Sequence, residues 1–369
     1  MTISEIHPND ARCQRKFDTL LANEGIRRDP NLEYIIGIFD NDYNLLAAGA
    51  CFANTLRCLA VDSAHRCEGL MEKVVTALVD YQFANGRSQL FIYTKLANAD
   101  IFSSLGFYEV AHVENVILME NRKNGLDSFL KALDRSFLAP TGRGQDYQQT
   151  SEATECCRRV PQCGFATEDK APCAELGAGR ADGAAIVMNC NPFTLGHRFL
   201  VERAASENDI VHLFVVSEDL SYFPFADRYE LVRLGCADLA NVQLHQTSSY
   251  MISAAVFPSY FLQDESAAVT VQAKLDSTIF LKIAKQLGIT RRYLGSEPFS
   301  KTTNTYNAIL QETLPLGGVD CLIIERKMQG DSVISASRVR ELLREGQIER
   351  VAELVPKTTL DYLIKESYF

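Results

Sequence analysis

The stretch Ala184–Ala205, reading AAIVMNCNPFTLGHRFLVERAA, constrains this chain more than any other. Its apolar opening, Ala184–Met188, has the continuous hydrophobic run of a strand buried on both faces of a parallel sheet. Asn189, Asn191 and Pro192 bring turn chemistry, and from Leu195 the apolar spacing becomes helical through Phe199, Leu200, Val201 and Ala204. Thr194 is placed to cap that helix, with Gly196 and His197 in its first turn. A strand, a tight turn and a helix start make a phosphate site, because unpaired N–H groups and the positive end of the dipole converge there. His197 adds a donor that can carry charge, and Gly196 lets a phosphate approach the backbone.

The rest of the C-terminal half continues the alternation. Strands are predicted over Ile210–Val216, Val242–Gln246, Arg292–Gly295 and Val319–Glu325. Helices are predicted over Asp227–Leu239, Val269–Leu287, Thr305–Leu314, Ala336–Glu345 and Glu349–Ile364. Such alternation implies a parallel sheet covered on both faces, with ligands at the carboxyl ends of its strands. The turns Asn189–Thr194 and Gly295–Pro298 fall at such ends. A second motif, Ile334–Arg340 (ISASRVR), repeats the chemistry: Ser335 or Ser337 can cap the helix that follows, and Arg340 lies near its first turn. His212 and His245 fall within strands and read as structural.

The N-terminal half has a different rhythm. Strands at 34–39 and 45–52 flank a turn, and Thr55–Val61 follows. After a loop at Asp62–Gly69 come an amphipathic helix from Leu70 to about Asn85, a strand at Gln89–Thr94, a short helix at Asn98–Ser104 and a last strand near Glu109–Met119. Between the halves, residues 139–182 are rich in Gly, Pro and charge without apolar periodicity, and read as a linker. Cys156, Cys157, Cys163 and Cys173 lie in it, without the paired spacing of a zinc site, so no metal site is expected there. The expected layout is 1–138, a linker at 139–182, and 183–369.

Composition excludes some classes of function. A net charge of -10 argues against general affinity for nucleic acid, which rests on Lys and Arg neutralising phosphates. No apolar run approaches the roughly 20 residues that span a membrane, and the polar start MTISEIHPNDARCQRK predicts no secretory leader. Eleven cysteines in such a chain read as reduced thiols in a cytoplasmic protein.

The N-terminal order resembles the acetyltransferase fold of the GNAT superfamily over roughly residues 30–120, including the closing run NADIFSSLGFYEV. The loop that binds pyrophosphate in that superfamily would correspond to Arg66, Gly69 and Met71. Met71 replaces a small residue and Cys67 stands where a glycine is common, so the resemblance is read as a fold kept for docking or packing rather than as a working acyl-CoA site. The motifs TLGH and ISASRVR together resemble the HxGH nucleotidyltransferase superfamily, with Thr194 at its first histidine position. The fold class expected is therefore α/β, with a GNAT-like α+β domain before a Rossmann-like nucleotidyltransferase domain.

The runs FVVSEDLSYFPFADRYELV, GSEPFSKTTNTYN and ERKMQGDSVISASRVRELL extend the likeness to the citrate lyase ligase family. That resemblance implies an AMP-forming ligase. Acetate and ATP would give acetyl-AMP, and the acetyl group would pass to the prosthetic-group thiol on the acyl-carrier subunit of citrate lyase. His197 would then stabilise charge on the α-phosphate, helped by Thr194, while Arg340, Ser335 and Ser337 would hold the departing pyrophosphate. Asn189, Asn191, Pro192, Phe193 and Gly196 would border the nucleotide, Phe193 chiefly through packing. Glu297 could face the ribose or adenine, or neither; Asp227 and Arg228 could contact a ligand or simply start a helix. Mg2+ is implied by the nucleotide, since it usually binds through phosphates and few protein groups. Rival readings are adenylylation of a phosphorylated cofactor precursor such as phosphopantetheine, an acetyltransferase with a regulatory second half, and a carrier-binding module without catalysis.

Overall fold

In a computed structural model of the protein, the described residues are 1–138, 182–217, 221–251, 257, 265–297, 300–329 and 332–369. The N-terminal half runs β1 (Thr2–Glu5), α1 (Ala11–Asn23), β2 (Tyr34–Phe39), β3 (Leu45–Phe52), β4 (Thr55–Val61), α2 (Leu70–Ala84), β5 (Phe91–Lys95), α3 (Ala99–Ser104), β6 (Tyr108–Val113), β7 (Val116–Glu120) and α4 (Gly125–Leu138). Its seven strands make one sheet in the order β1-β2-β3-β4-β5-β7-β6. All neighbours are antiparallel except β4 and β5, which pair in parallel at Thr55–Phe91 and Leu56–Ile92 alone. Beyond those residues the two strands part, and a cavity of ≈ 640 Å³ opens against the start of α2.

The C-terminal half continues with β8 (Gly183–Met188), α5 (Leu195–Glu207), β9 (Ile210–Val215), α6 (Phe225–Gly235), β10 (Val242–Gln246), α7 (Glu265–Leu287), β11 (Ile289–Gly295), α8 (Lys301–Thr313) and β12 (Asp320–Ile324). A short hairpin, β13 (Met328–Gln329) and β14 (Ser332–Val333), then leads to α9 (Ala336–Arg344), α10 (Ile348–Ala352) and α11 (Lys357–Lys365). Five strands are parallel in the order β10-β9-β8-β11-β12. The chain builds outward from β8 to β10, then returns to add β11 and β12 on the other side. The carboxyl ends of β8 and β11 therefore form the topological switch where such sheets bind ligands. Central placement also explains why β8 is apolar on both faces.

The α+β sheet and the parallel sheet expected from the sequence are both present, with differences in detail. The single strand read near Glu109–Met119 is the hairpin β6–β7, turned at Glu114 in a left-handed conformation (φ 49) where no glycine or proline signals it. The single helix read over Glu349–Ile364 is broken into α10 and α11, because Pro356 caps α11 and has no N–H to continue a helix through it. The sequence reading left out β1, α1 and α4. Asp10 starts α1, its carboxylate accepting from the N–H groups of Arg12 and Cys13 at 3.1 and 3.0 Å. The linker reading, with Cys156, Cys157, Cys163 and Cys173, lies outside the described residues apart from Asp182.

One apolar core is shared by the two sheets. It takes Phe91, Val110 and Leu118 from the first sheet, Leu126 and Leu133 from α4, Phe214 and Leu294 from the second, and Leu275, Ile279 and Ile283 from α7. Polar ties seal its edge. The buried Glu120 carboxylate accepts from Tyr250 Oη (2.7 Å), Gln89 Nε2 (3.0 Å) and the Leu126 N–H (2.9 Å), and Lys282 Nζ donates to the Val110 carbonyl at 2.7 Å. A buried carboxylate depends on such donors, so Tyr250→Phe is expected to cost about 1–3 kcal/mol. Thermal unfolding of the full chain, read as a lower Tm with unchanged far-UV circular dichroism, checks this.

Candidate active site

Beyond Met188 the chain must turn sharply into α5, and a buried guanidinium shapes that turn. Arg228, on α6, donates Nη1 to the Asn189 carbonyl (2.9 Å), to Asn189 Oδ1 (2.6 Å) and to the Val216 carbonyl (2.8 Å). Its Nε donates to the Phe223 carbonyl at 3.1 Å, and Asn191 Oδ1 accepts from the Phe223 N–H at 3.1 Å. One fully buried side chain thus satisfies several carbonyls of a tight turn that carries a cis Asn191–Pro192 peptide. Arg228 is therefore a strut beneath the turn. Asp227 accepts from the hydroxyls of Tyr362 (2.7 Å) and Tyr368, which fastens α11 to α6. Of the two roles the sequence allowed, these contacts support the structural one for both residues.

Thr194 caps α5, and the cap decides the state of His197. The Thr194 hydroxyl accepts from the His197 N–H (3.3 Å), while His197 Nδ1 accepts from the Thr194 N–H (3.0 Å). A backbone N–H can only donate, so Nδ1 is the acceptor and the ring proton of the neutral form sits on Nε2. Burial, with the Arg326 charge adding, pushes the His197 pKa down to about 4. The sequence reading left open whether this ring carries charge; with its pKa so far down, it is a neutral N–H donor at pH 7. Phe193 is fully buried, its ring centroid 5.9 Å from that of His197 with the planes 14° apart, so it packs behind the imidazole. Pro192 is buried as well, while Asn189 is exposed at the lip of the turn.

The helix start offers fewer free donors than the sequence implied. The Leu195 N–H donates to the Leu354 carbonyl at 2.9 Å and the His197 N–H is taken by Thr194. Among the described residues, that leaves the Gly196 N–H as the first-turn donor without a partner. Gly196 has a second use: a Cβ there would lie 3.3 Å from the Ile334 carbonyl, so glycine is what lets the ISASRVR segment press against the start of α5.

That segment completes the site. Ser335 caps α9, its Oγ accepting from the Arg338 N–H at 3.2 Å. Arg340 donates to the Asn191 carbonyl and, at 3.0 Å, to the exposed Ser337 Oγ. The half-buried guanidinium has its pKa held down by burial and by the neighbouring Arg344, so two like charges share this corner and favour an anion. Glu297, after β11, accepts from Arg326, which follows β12 and also donates Nε to the Ser296 carbonyl at 2.7 Å. Sequence reasoning missed Arg326 because it lies in neither motif. Of the other residues in the GSEPFSKTTNTYN stretch, Asn307 Nδ2 donates to the Gly295 carbonyl at 3.1 Å and Tyr306 Oη to Asp276, so both brace the edge from behind.

A metal was implied with the nucleotide, and the donor set does not fit a dedicated site. Among the described residues no group of three or more His, Cys, Asp or Glu side chains converges, and the Glu297 carboxylate after β11 is engaged by Arg326. Among the described residues, no helix is long and apolar enough to cross a membrane.

Comparison with known proteins fits this geometry. A family model described as the citrate lyase ligase C-terminal domain matches residues 183–363. The [citrate [pro-3S]-lyase] ligase of Klebsiella pneumoniae is 34% identical over 362 residues, covering 96% of this chain and 94% of that protein. The chain belongs to the citrate lyase ligase family.

Two solved structures are more distant. Thermotoga maritima TmcAL, bound with alpha-thio ATP, is 15% identical, covering 50% of this chain and 56% of that one, with a TM-score of 0.33. An aminoglycoside 6'-N-acetyltransferase complexed with coenzyme A is 16% identical, covering 32% of this chain and 96% of that one, with a TM-score of 0.28. In this chain the residues read as a pyrophosphate loop line the cavity beside β4 and β5. Arg66 is drawn aside by Glu24, and Met71 is half-buried against the core of the first sheet.

The sheet edge also predicts a pH dependence. His212 Nδ1 and His245 Nε2 lie 3.0 Å apart inside β9 and β10, and burial pushes their pKa values down to about 4 and about 3. With His197, three rings stay neutral in the folded chain while the unfolded chain protonates them near pH 6.5. Below that pH the unfolded state binds more protons, so stability falls as pH drops from about 6.5 towards 4. Urea unfolding at pH 7 and pH 5 checks the drop, which is expected to shrink in His245→Gln.

Proposed function

We propose that this protein acetylates the prosthetic-group thiol on the acyl-carrier subunit of citrate lyase, using ATP and acetate through acetyl-AMP, in the cytoplasm. The observation that carries the reading is Arg340 reaching the Asn191 carbonyl, which puts the start of α9 beside the start of α5. ATP would lie over this edge with its α-phosphate at the Gly196 N–H and His197 Nε2, and its β- and γ-phosphates towards Arg340, Ser335 and Ser337. An acetate oxygen attacks the α-phosphorus, the bond to the β-phosphate oxygen breaks, and pyrophosphate leaves in line. Charge gathers on the non-bridging oxygens as this happens. A neutral imidazole N–H, already oriented by Thr194, meets that charge without reorganisation, and a guanidinium serves the leaving group. In the second step the acceptor thiolate attacks the acetyl carbon, the bond from that carbon to the phosphate oxygen breaks, and AMP departs.

Acetate-dependent exchange of labelled pyrophosphate into ATP tests the first step without any carrier. The wild type is expected to exchange only when acetate is present, and His197→Ala and Arg340→Ala to lose about 10²–10³-fold, the usual weight of one oxyanion-type donor. AMP transfer onto phosphopantetheine, with no acetate-dependent exchange, would replace this reading by the cofactor-adenylylation one. On the same reading, the gap between β4 and β5 receives the acceptor's arm. Dephospho-CoA is then expected to raise the Tm of the full chain, and no shift at millimolar ligand would sink that assignment.

A further inference from the structure

The hairpin after β12 places one more cation at the nucleotide edge. In its register Met328 faces Val333 and Gln329 faces Ser332, and the Ile334 N–H donates to the Lys327 carbonyl at 3.2 Å. Arg326 directly precedes Lys327, so it enters this corner as the chain leaves β12 for the hairpin. Ile334 in turn presses on Gly196, so Arg326 stands by the first turn of α5, close enough for its charge to act on His197. Lys327 leaves the same point towards α5, its Nζ 6.0 Å from the Phe199 ring centroid.

The way Arg326 is held matters as much as its position. The Ser296 hydroxyl accepts its backbone N–H at 3.3 Å, the Ser296 carbonyl accepts Nε–H at 2.7 Å, and Glu297 accepts an Nη2–H. A guanidinium has five N–H donors in a rigid fork. Two are spent on fixing one edge; among the described residues the other three have no partner. The side chain keeps 28% of its surface exposed and Glu297 14%, so this is a recessed cation with one edge pinned and one edge presented. Structural arginines in this chain look different: Arg57, Arg228 and Arg292 are all fully buried. A pinned guanidinium loses little further freedom on meeting a second anion, and its planar fork matches phosphate oxygens.

We propose that Arg326 is a further nucleotide-contacting residue, binding the pyrophosphate portion of ATP across the site from Arg340, and that Glu297 and Ser296 act by aligning it. This moves Glu297 from the ribose or adenine side to a positioning role. The proposal rests on the reading of this edge as an ATP site, and a binding measurement separates its fate from that of acetyl-AMP chemistry.

The test is calorimetric titration of the full chain with ATP and with AMP, for wild type, Arg326→Ala, Arg326→Lys and Glu297→Gln. Arg326→Ala is expected to raise the Kd for ATP about tenfold or more, the weight of one good charge-assisted contact. AMP, which lacks the pyrophosphate, should bind Arg326→Ala as it binds the wild type. Arg326→Lys should fall between, because it keeps the charge but not the fork, and Glu297→Gln should weaken ATP alone by a smaller factor. Added guanidinium chloride at millimolar concentration should recover part of the ATP affinity of Arg326→Ala. Unchanged ATP affinity in a folded Arg326→Ala, equal losses for ATP and AMP, or no binding of ATP by the wild type would each overturn the proposal.

Discussion

The contact between the Arg340 guanidinium and the Asn191 carbonyl spans 149 residues of sequence and makes one site of two helix starts. Everything else at the sheet edge either holds one end of that contact or uses it. Arg228 fixes the Asn189–Asn191 turn from beneath, so the carbonyl that Arg340 reaches has a defined place. Gly196 lets Ile334 come near enough for α9 to begin beside α5. The short hairpin β13–β14 sets the distance between the end of β12 and the cap of α9. A helix dipole alone is a weak and screened attraction for an anion; guanidinium and imidazole donors brought to it convert a general tendency into a specific geometry.

The same edge separates charge from neutrality in a useful way. Arg326 and Arg340 bring guanidinium groups to this edge, whereas His197, buried near Arg326, is neutral at neutral pH. The Thr194 exchange spends Nδ1 on the backbone and leaves Nε2–H as the donor. Neutral donors and fixed cations together suit an anion whose charge shifts during reaction, since neither needs to gain or lose a proton for the site to work. The shared core beneath, with α7 packed against both sheets and Glu120 holding three donors, gives that edge a firm base.

Much of this was legible in the sequence. TLGH and ISASRVR could be placed on helix starts because capping residues and apolar periodicity are local signals, and the strand runs of the second sheet are nearly continuous in apolar residues. What escaped reading depended on contacts distant in sequence. Whether Arg228 was strut or ligand contact is settled by carbonyls at 189, 216 and 223, and the role of Arg326 by Ser296 and Glu297. The neutral state of His197 was not legible because a pKa follows burial, which a motif does not state. Two elements were misread locally: the turn at Glu114–Asn115 carries neither glycine nor proline and its lone Asn was read through, and the proline at 356 was read through although it has no N–H to continue a helix. Phe193 was read chiefly as packing, and Gly235, where a Cβ would strike its ring at 2.4 Å, shows the ring sunk into the core.

The central claim is that acetate itself attacks the α-phosphate at this edge, and isotope tracing tests it most directly. With acetate labelled with ¹⁸O in its carboxylate, the attacking oxygen stays on phosphorus when the thiol takes the acetyl group. The account predicts AMP carrying one ¹⁸O for each acetyl group transferred, and pyrophosphate carrying none. AMP free of label in a reaction that still acetylates the carrier would contradict it.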